Sequence, residues 1–225
     1  MSLRAKPRAK QEAQGQKEGP KRTATVCVSS LEIARGYDGV FRGTPEPALL
    51  LGLFECGPDS IRLLDRRLLR FEVAGKVPGV YEPHAANRAA RRVTGRIDHE
   101  STFSLVVMAV EEDSGAGLSH LYGLLERPEA LSFWRSTTDI PEVRELATLA
   151  ADITLPGARE AMVLSVASLL ADATDVSELA QGDDFVGAAV GHYAAKIQAK
   201  GGLRATFTSA DSKNSWTAVL DLTVR

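Results

Sequence analysis

The segment that decides the fold is residues 25–55, TVCVSSLEIARGYDGVFRGTPEPALLLGLFE, which joins two strand patterns through a turn-rich loop. Val26 and Val28 have the two-residue spacing of one face of a β-strand. Residues 35–44 hold three glycines, and the prolines that follow exclude a helix there. Residues 48–54 form an apolar run of strand length. The segment therefore predicts a strand, a loop and a second strand.

The composition is that of an ordinary soluble domain, with 44% hydrophobic and 25% charged residues in a chain of 225. The two cysteines, Cys27 and Cys56, lie in or beside apolar segments, where a free thiol usually acts as a small core residue. No run approaches the roughly 20 apolar residues of a membrane span, and the N-terminus lacks the apolar region of a signal peptide. We therefore expect a cytoplasmic protein.

The charge of the chain is strongly asymmetric, although the net charge is only −2. Residues 1–96 carry 18 Lys and Arg against 10 Asp and Glu, and residues 97–225 carry 9 against 19. Such polarity indicates charged partners rather than a particular fold.

The first 22 residues hold seven basic and two acidic side chains and almost no apolar ones. They cannot bury a core, so we expect residues 1–22 to form a disordered basic tail and residues 23–225 to form one domain. The tail is either a solvated segment or an arm that contacts an acidic partner or nucleic acid.

The rest of the chain predicts mostly strands with one helical insertion. Residues 102–110 are the strongest strand by β-branched and aromatic content, and residues 61–71 fit a helical turn followed by a strand. Residues 118–153 fit two or three short helices, and residues 191–199 another short helix. A closing hairpin follows at 203–209 and 215–224, with buried positions at Trp216, Val219, Leu220, Leu222 and Val224. The expected fold is an antiparallel β-sandwich with a helical segment near 118–153.

An arginine-rich region lies between residues 62 and 96, with eight arginines and Lys76. Arginine binds phosphate or carboxylate through two parallel hydrogen bonds. If the two halves of this region are neighbouring strands, they form an anion-binding patch from Arg66, Arg67, Arg70, Arg91 and Arg92. The alternative is that these arginines pair with the acidic second half of the same chain.

Several short motifs resemble those of C2 domains, over residues 23–60 and 160–190. Asp38 stands at the first acidic position of the first loop, Glu46-Pro47 stands where the family has Asp-Pro, and residues 183–187, DDFVG, resemble the signature after the third loop. The resemblance implies a C2-like sandwich whose calcium ligands would be Asp38, Glu46, Asp172, Asp175, Asp183 and Asp184. A competing candidate for the third loop is residues 111–113.

No motif in the sequence indicates catalysis. The four histidines are far apart and lack metal-ligand spacing, and the neighbours in residues 98–101 point to opposite faces of a strand, so they cannot form a triad. Aromatic residues make up 6% and do not alternate with the arginines, which makes nucleic acid an unlikely partner. We expect no enzyme activity, and no cofactor other than calcium.

The predicted function is a non-catalytic protein-binding or scaffold module that docks through charged surfaces into a larger assembly. Its partner is another protein or a second copy, since complementary patches steer such contacts. The alternative is a peripheral membrane module that binds anionic lipid headgroups, with or without calcium. There the arginine patch would hold the headgroups, and the loop tip of Tyr37, Val40 and Phe41 would enter the interface.

Overall fold

The computed structural model describes residues 19–36, 44–56, 61–85, 89–113, 115–126, 183–196, 200–209 and 212–225. Nine strands and one helix lie within these ranges. The elements are β1 (Lys21–Arg35), β2 (Pro47–Cys56), β3 (Ile61–Arg70), β4 (Gly79–Tyr81), β5 (Arg92–Asp98), β6 (Thr102–Glu111), α1 (Ala116–Leu124), β7 (Asp184–Ala194), β8 (Lys200–Thr208) and β9 (Ser215–Val224).

The strands form two antiparallel sheets packed face to face, which confirms the predicted β-sandwich. In sheet 1, β4 and β5 pair with the same edge of β1, and β9 and then β8 follow on the other side. Sheet 2 has the order β3-β2-β6-β7. The short helix α1 also agrees with the expected helical segment.

The core lies between the sheets and follows the two-residue period of the strands. In β1, alternate residues from Ala24 to Val28 point inward, and a register shift between Val28 and Ser30 keeps Leu31 and Ile33 inward as well. The opposing face comes mainly from β2 and β6. The largest fully buried side chains of this core include Leu49, Leu51, Phe103, Phe207 and Trp216.

The central strands of sheet 2, β2 and β6, are buried on both faces, and the end of α1 lies against the outer side of β2. A Cβ at Gly52 would lie 3.3 Å from Cδ2 of Leu125, which follows α1, and Leu118 and Leu121 of the helix are buried. Every residue of β2 is buried. Strands covered on both sides need apolar residues at nearly every position, which explains the continuous hydrophobic runs of β2 and β6.

Acidic side chains close the seam where β5 meets sheet 2. Asp65 Oδ2 accepts the backbone N–H of Thr94 at 3.0 Å, and Glu55 Oε1 accepts that of Asp98 at 2.6 Å. These N–H groups face away from β1 and would otherwise form part of an open sheet edge. The two carboxylates therefore join the sheets at this side of the sandwich.

Two predicted helical segments are strands in the structure. Residues 61–70 form one strand because they pair with β2 along their whole length, and the predicted helical turn is wrong. The helix predicted at 191–199 is also wrong over its first four residues, since β7 continues to Ala194 in register with β6, and residues 197–199 lie outside the described ranges. Long-range pairing overrides local propensity in both segments.

The closing hairpin is confirmed, with one correction to its buried positions. The inward residues of β9 are Trp216, Ala218, Leu220, Leu222 and Val224, whereas Val219 has the opposite parity and is half-buried.

At the chain's start, Lys21 and Arg22 belong to β1 instead of the predicted tail. The predictions for the rest of the tail and of the helical insertion concern residues 1–18 and 127–153, which lie outside the described residues. No helix in the described part of the chain is long and apolar enough to cross a membrane.

Candidate functional site

Loops from both sheets meet at one end of the sandwich, which we call the loop pole. In sheet 2 the register places Glu111 opposite both Pro47 and Asp184, and Arg70 opposite Ala48. The end of β1 lies at the same pole, because a Cβ at Gly36 would be 3.0 Å from Pro45 Cγ. The loop that contains Asp38 therefore begins and ends at the pole where β7 starts.

Asp183 stabilises the start of α1 at the loop pole. Its Oδ1 accepts the N–H groups of Asp113 and Gly115, and its Oδ2 accepts that of Leu118, each at 2.9 Å. The first N–H groups of a helix have no partner within the helix, and here a distant carboxylate supplies one. Gly115 precedes the helix with φ at 73°, a conformation that glycine adopts without strain. Asp183 is only 2% exposed, so its carboxylate serves the fold.

Arg70 and Glu112 form a two-point ion pair beside this helix cap. Arg70 Nε donates to Glu112 Oε2 at 2.5 Å, and its Nη2 donates to Oε1 at 2.7 Å. The hydrogen bond to Glu112 raises the pKa of Arg70. Glu112 N–H donates to the carbonyl of Glu46 at 2.9 Å, and Glu46 N–H donates to Oε1 of the buried Glu111 at 3.2 Å. These bonds hold the ends of β3 and β6 against the entry to β2.

A cleft of about 490 Å³ opens next to the ion pair. Its apolar lining comes from Pro45, Pro47, Phe71 and Val73, of which the first three are buried. Its polar lining includes Glu46, Glu72, Glu112, Arg70 and His84.

The charge of the cleft is net negative. Glu112 neutralises Arg70, while Glu46 is exposed and the side chain of Glu72 is 70% exposed. His84 Nε2 lies 3.6 Å from Glu72 Oε2 and is charged only when protonated. The cleft thus combines an apolar wall with two open carboxylates, an arrangement that fits a cation with an apolar stem.

The structure does not bring the five predicted arginines onto one face. Arg66 lies 4.1 Å above the ring of Tyr122, on the outer side of sheet 2, and its Nη2 is 2.7 Å from Glu126 Oε1. Arg92 lies on the outer face of sheet 1, since its neighbour Val93 points into the core. The strands β3 and β5 belong to different sheets, so they are not the neighbouring strands that the patch requires.

The alternative, pairing with the acidic second half of the chain, holds for two of the five arginines. Arg66 and Arg70 pair with Glu126 and Glu112 from that half, whereas Arg67 pairs with Asp65, two residues earlier in β3, at 2.7 Å. Arg91 and Arg92 are exposed and form no ion pair with any described residue.

Of the six residues named for calcium, Glu46, Asp183 and Asp184 belong to the described ranges, and all three lie at the loop pole. Asp38, Asp172 and Asp175, together with the loop tip of Tyr37, Val40 and Phe41, lie outside them. Within the described ranges, no three His, Cys, Asp or Glu side chains are grouped so as to hold a metal ion.

Sequence reasoning missed the cleft, because Glu72 and His84 come from a segment without a motif and approach Glu46 only through the pairing of β2 with β3. The sequence pointed to Glu112 only as a member of residues 111–113, the competing candidate for the third loop of a C2 domain. Comparison of the chain with models of known protein families and with curated proteins gave no match.

Proposed function

We propose that the protein is a non-catalytic protein-binding module that takes a basic segment of a partner into the cleft at the loop pole. The observation that carries this proposal is the combination of the apolar wall with the open carboxylates of Glu46 and Glu72. The asymmetric charge of the sequence predicts docking through charged surfaces, and binding of a basic segment is one form of such docking.

The chemistry of the cleft favours Lys and Arg side chains as its occupants. Both residues carry an apolar stem, which packs on surfaces such as Pro45 and Phe71, and a charged head, which stays near water. A cleft of 490 Å³ lies within the range of about 300–1,000 Å³ that is usual for ligand sites. Exposed ion pairs contribute only about 0.2–1 kcal/mol each, so we expect weak binding that depends on several side chains.

The membrane alternative is less well supported. It requires cations that are open to lipid headgroups, but Arg66, Arg67 and Arg70 are paired with carboxylates. The loop pole, where the loop tip would enter the membrane, carries the acidic cleft and would repel an anionic surface.

The experiment that tests the proposal is a binding titration with a fluorescently labelled peptide of alternating Lys and Ala, followed by anisotropy at low salt. We expect saturable binding that weakens as the salt concentration rises. The double variant Glu46→Lys, Glu72→Lys should weaken binding about tenfold or more.

The control is Glu100→Lys, which reverses an exposed carboxylate in the turn after β5. It should leave the affinity within about twofold of the unmodified protein. Equal affinity of all three proteins, or no binding at low salt, would contradict the proposed function.

A further inference from the structure

We infer that the basic segment held by the cleft is residues 1–18 of a second copy of this chain, so that copies join head to tail. The inference rests on the proposed function and adds the identity of the partner.

The first argument is the pattern of charge in this segment. Residues 1–18 carry five basic and two acidic side chains, and four of the basic ones, Arg4, Lys6, Arg8 and Lys10, stand at every second position. In an extended backbone, residues with this spacing share one side of the chain, about 6.6 Å apart. The residues between them are alanine and proline. Such a segment presents a row of cations without bulky side chains that would keep it from the wall of the cleft.

The second argument is where this segment joins the sandwich. Lys21 pairs with Asp98, and the carbonyl of Pro20 accepts the N–H of His99 at 3.0 Å. This is the start of β1, whereas the cleft lies beside the end of β1 at the loop pole. A strand of 15 residues spans about 45–50 Å at roughly 3.3 Å per residue.

Because the start of β1 and the cleft are this far apart, residues 1–18 reach the cleft of a neighbouring copy more readily than the cleft of their own chain. A flexible linker of 20 residues has a root-mean-square span of about 25 Å, roughly half of the distance along β1. The junction of this segment with β1 and the cleft lie at opposite poles of the sandwich. A contact between different surfaces of identical chains repeats from copy to copy, which gives a head-to-tail assembly.

Sedimentation velocity of the full chain at low salt tests this inference. We expect the average mass to rise above the 24.1 kDa of one chain as the concentration increases, and to fall back as salt is added. A tail variant, with Lys6, Arg8 and Lys10 each changed to Glu, and a cleft variant, with Glu46 and Glu72 each changed to Lys, should both remain monomeric. Lys196→Glu, a reversal at an exposed position in the turn after β7, should associate like the unmodified chain.

Mixing the tail variant with the cleft variant provides the decisive comparison. Each variant's tail then meets a cleft of opposite charge on the other variant, so the mixture should regain the head-to-tail association that neither variant shows alone. If the unmodified chain stays monomeric at every concentration while the Lys-Ala peptide still binds the cleft, this inference is wrong and the proposed function stands. If no basic peptide binds either, both fail.

Discussion

Asp183 Oδ2 accepts the backbone N–H of Leu118 at 2.9 Å across 65 positions of sequence, so the residue before β7 caps the helix on the outer face of sheet 2. The same carboxylate accepts two further N–H groups, from Asp113 and Gly115. The position of α1 beside β2 therefore depends on a buried side chain that lies outside both elements.

The variant Asp183→Asn should lower the free energy of unfolding by about 2–3 kcal/mol, since an amide has one acceptor oxygen and leaves buried N–H groups without a partner. Urea unfolding followed by tryptophan fluorescence measures this change. Asp98→Asn, which alters an exposed carboxylate, should stay within about 0.5 kcal/mol of the unmodified protein. Equal losses in the two variants would count against the capping role.

The thiol of Cys56 should make stability fall at alkaline pH. Burial raises the pKa of this thiol and the neighbouring Glu55 carboxylate adds to the rise, while hydrogen bonds with Ser104 and Thr102 oppose it, so that the pKa rises from 9.0 to about 11. A group whose pKa is higher in the folded state contributes its full stability below the unfolded value and loses it as the pH passes the folded value. We therefore expect a loss of up to about 2 kcal/mol between pH 9 and 11.

The measurement is the free energy of unfolding of the unmodified protein and of Cys56→Ser at several pH values from 8 to 10.5. The variant lacks the thiol and should show a shallower decline. An identical decline in both proteins would show that another group is responsible.

The hydroxyl of Tyr193 is buried without a hydrogen-bond partner among the described residues, and burial raises its pKa above the ordinary value. Tyr193→Phe should therefore raise the free energy of unfolding by about 0.5–1 kcal/mol, because it removes an unsatisfied polar group. The stacking on Phe103, with ring centroids 5.1 Å apart, is retained.

Tyr81→Phe is the control for this change, since the Tyr81 hydroxyl donates to the Lys76 carbonyl at 3.2 Å. Tyr81→Phe should lower the free energy of unfolding by about 1 kcal/mol, because it removes this hydrogen bond. Thermal unfolding of the two variants in parallel distinguishes the effects, and a loss of stability in Tyr193→Phe would contradict the account.

Anionic vesicles should not retain the protein at physiological salt, with or without calcium. The reason is that Arg66, Arg67 and Arg70 already pair with carboxylates, which leaves only Arg91 and Arg92 of the predicted arginine patch open to headgroups. Co-sedimentation with phosphatidylserine vesicles measures this directly. If the unmodified protein pellets strongly with the vesicles and the variants Arg91→Glu and Arg92→Glu do not, the membrane alternative would be favoured instead.

The fold was largely predictable because its central strands are buried on both faces. Such strands need the continuous apolar runs seen in β2 and β6, and the β8–β9 hairpin shows clear alternation. β7 was harder, since its glycines and alanines carry no strand signal and its structure comes from pairing with β6.

The candidate site was predictable only in part. The sequence placed Glu46 and residues 183–184 in loops at one pole, but the roles of these residues depend on partners far away in the chain. Asp183 meets Leu118 and Arg70 meets Glu112 only after the strands have paired. No local pattern shows whether a charged residue is paired inside the molecule or open to a partner.

The most direct test of the account is to map where a basic peptide binds, using amide chemical shifts of the isotope-labelled full chain during titration with the Lys-Ala peptide. The account predicts that the shifts concentrate on residues 44, 46, 71–73, 84 and 112, which line the cleft. Shifts concentrated on the outer face of sheet 1, or none at low salt, would contradict it.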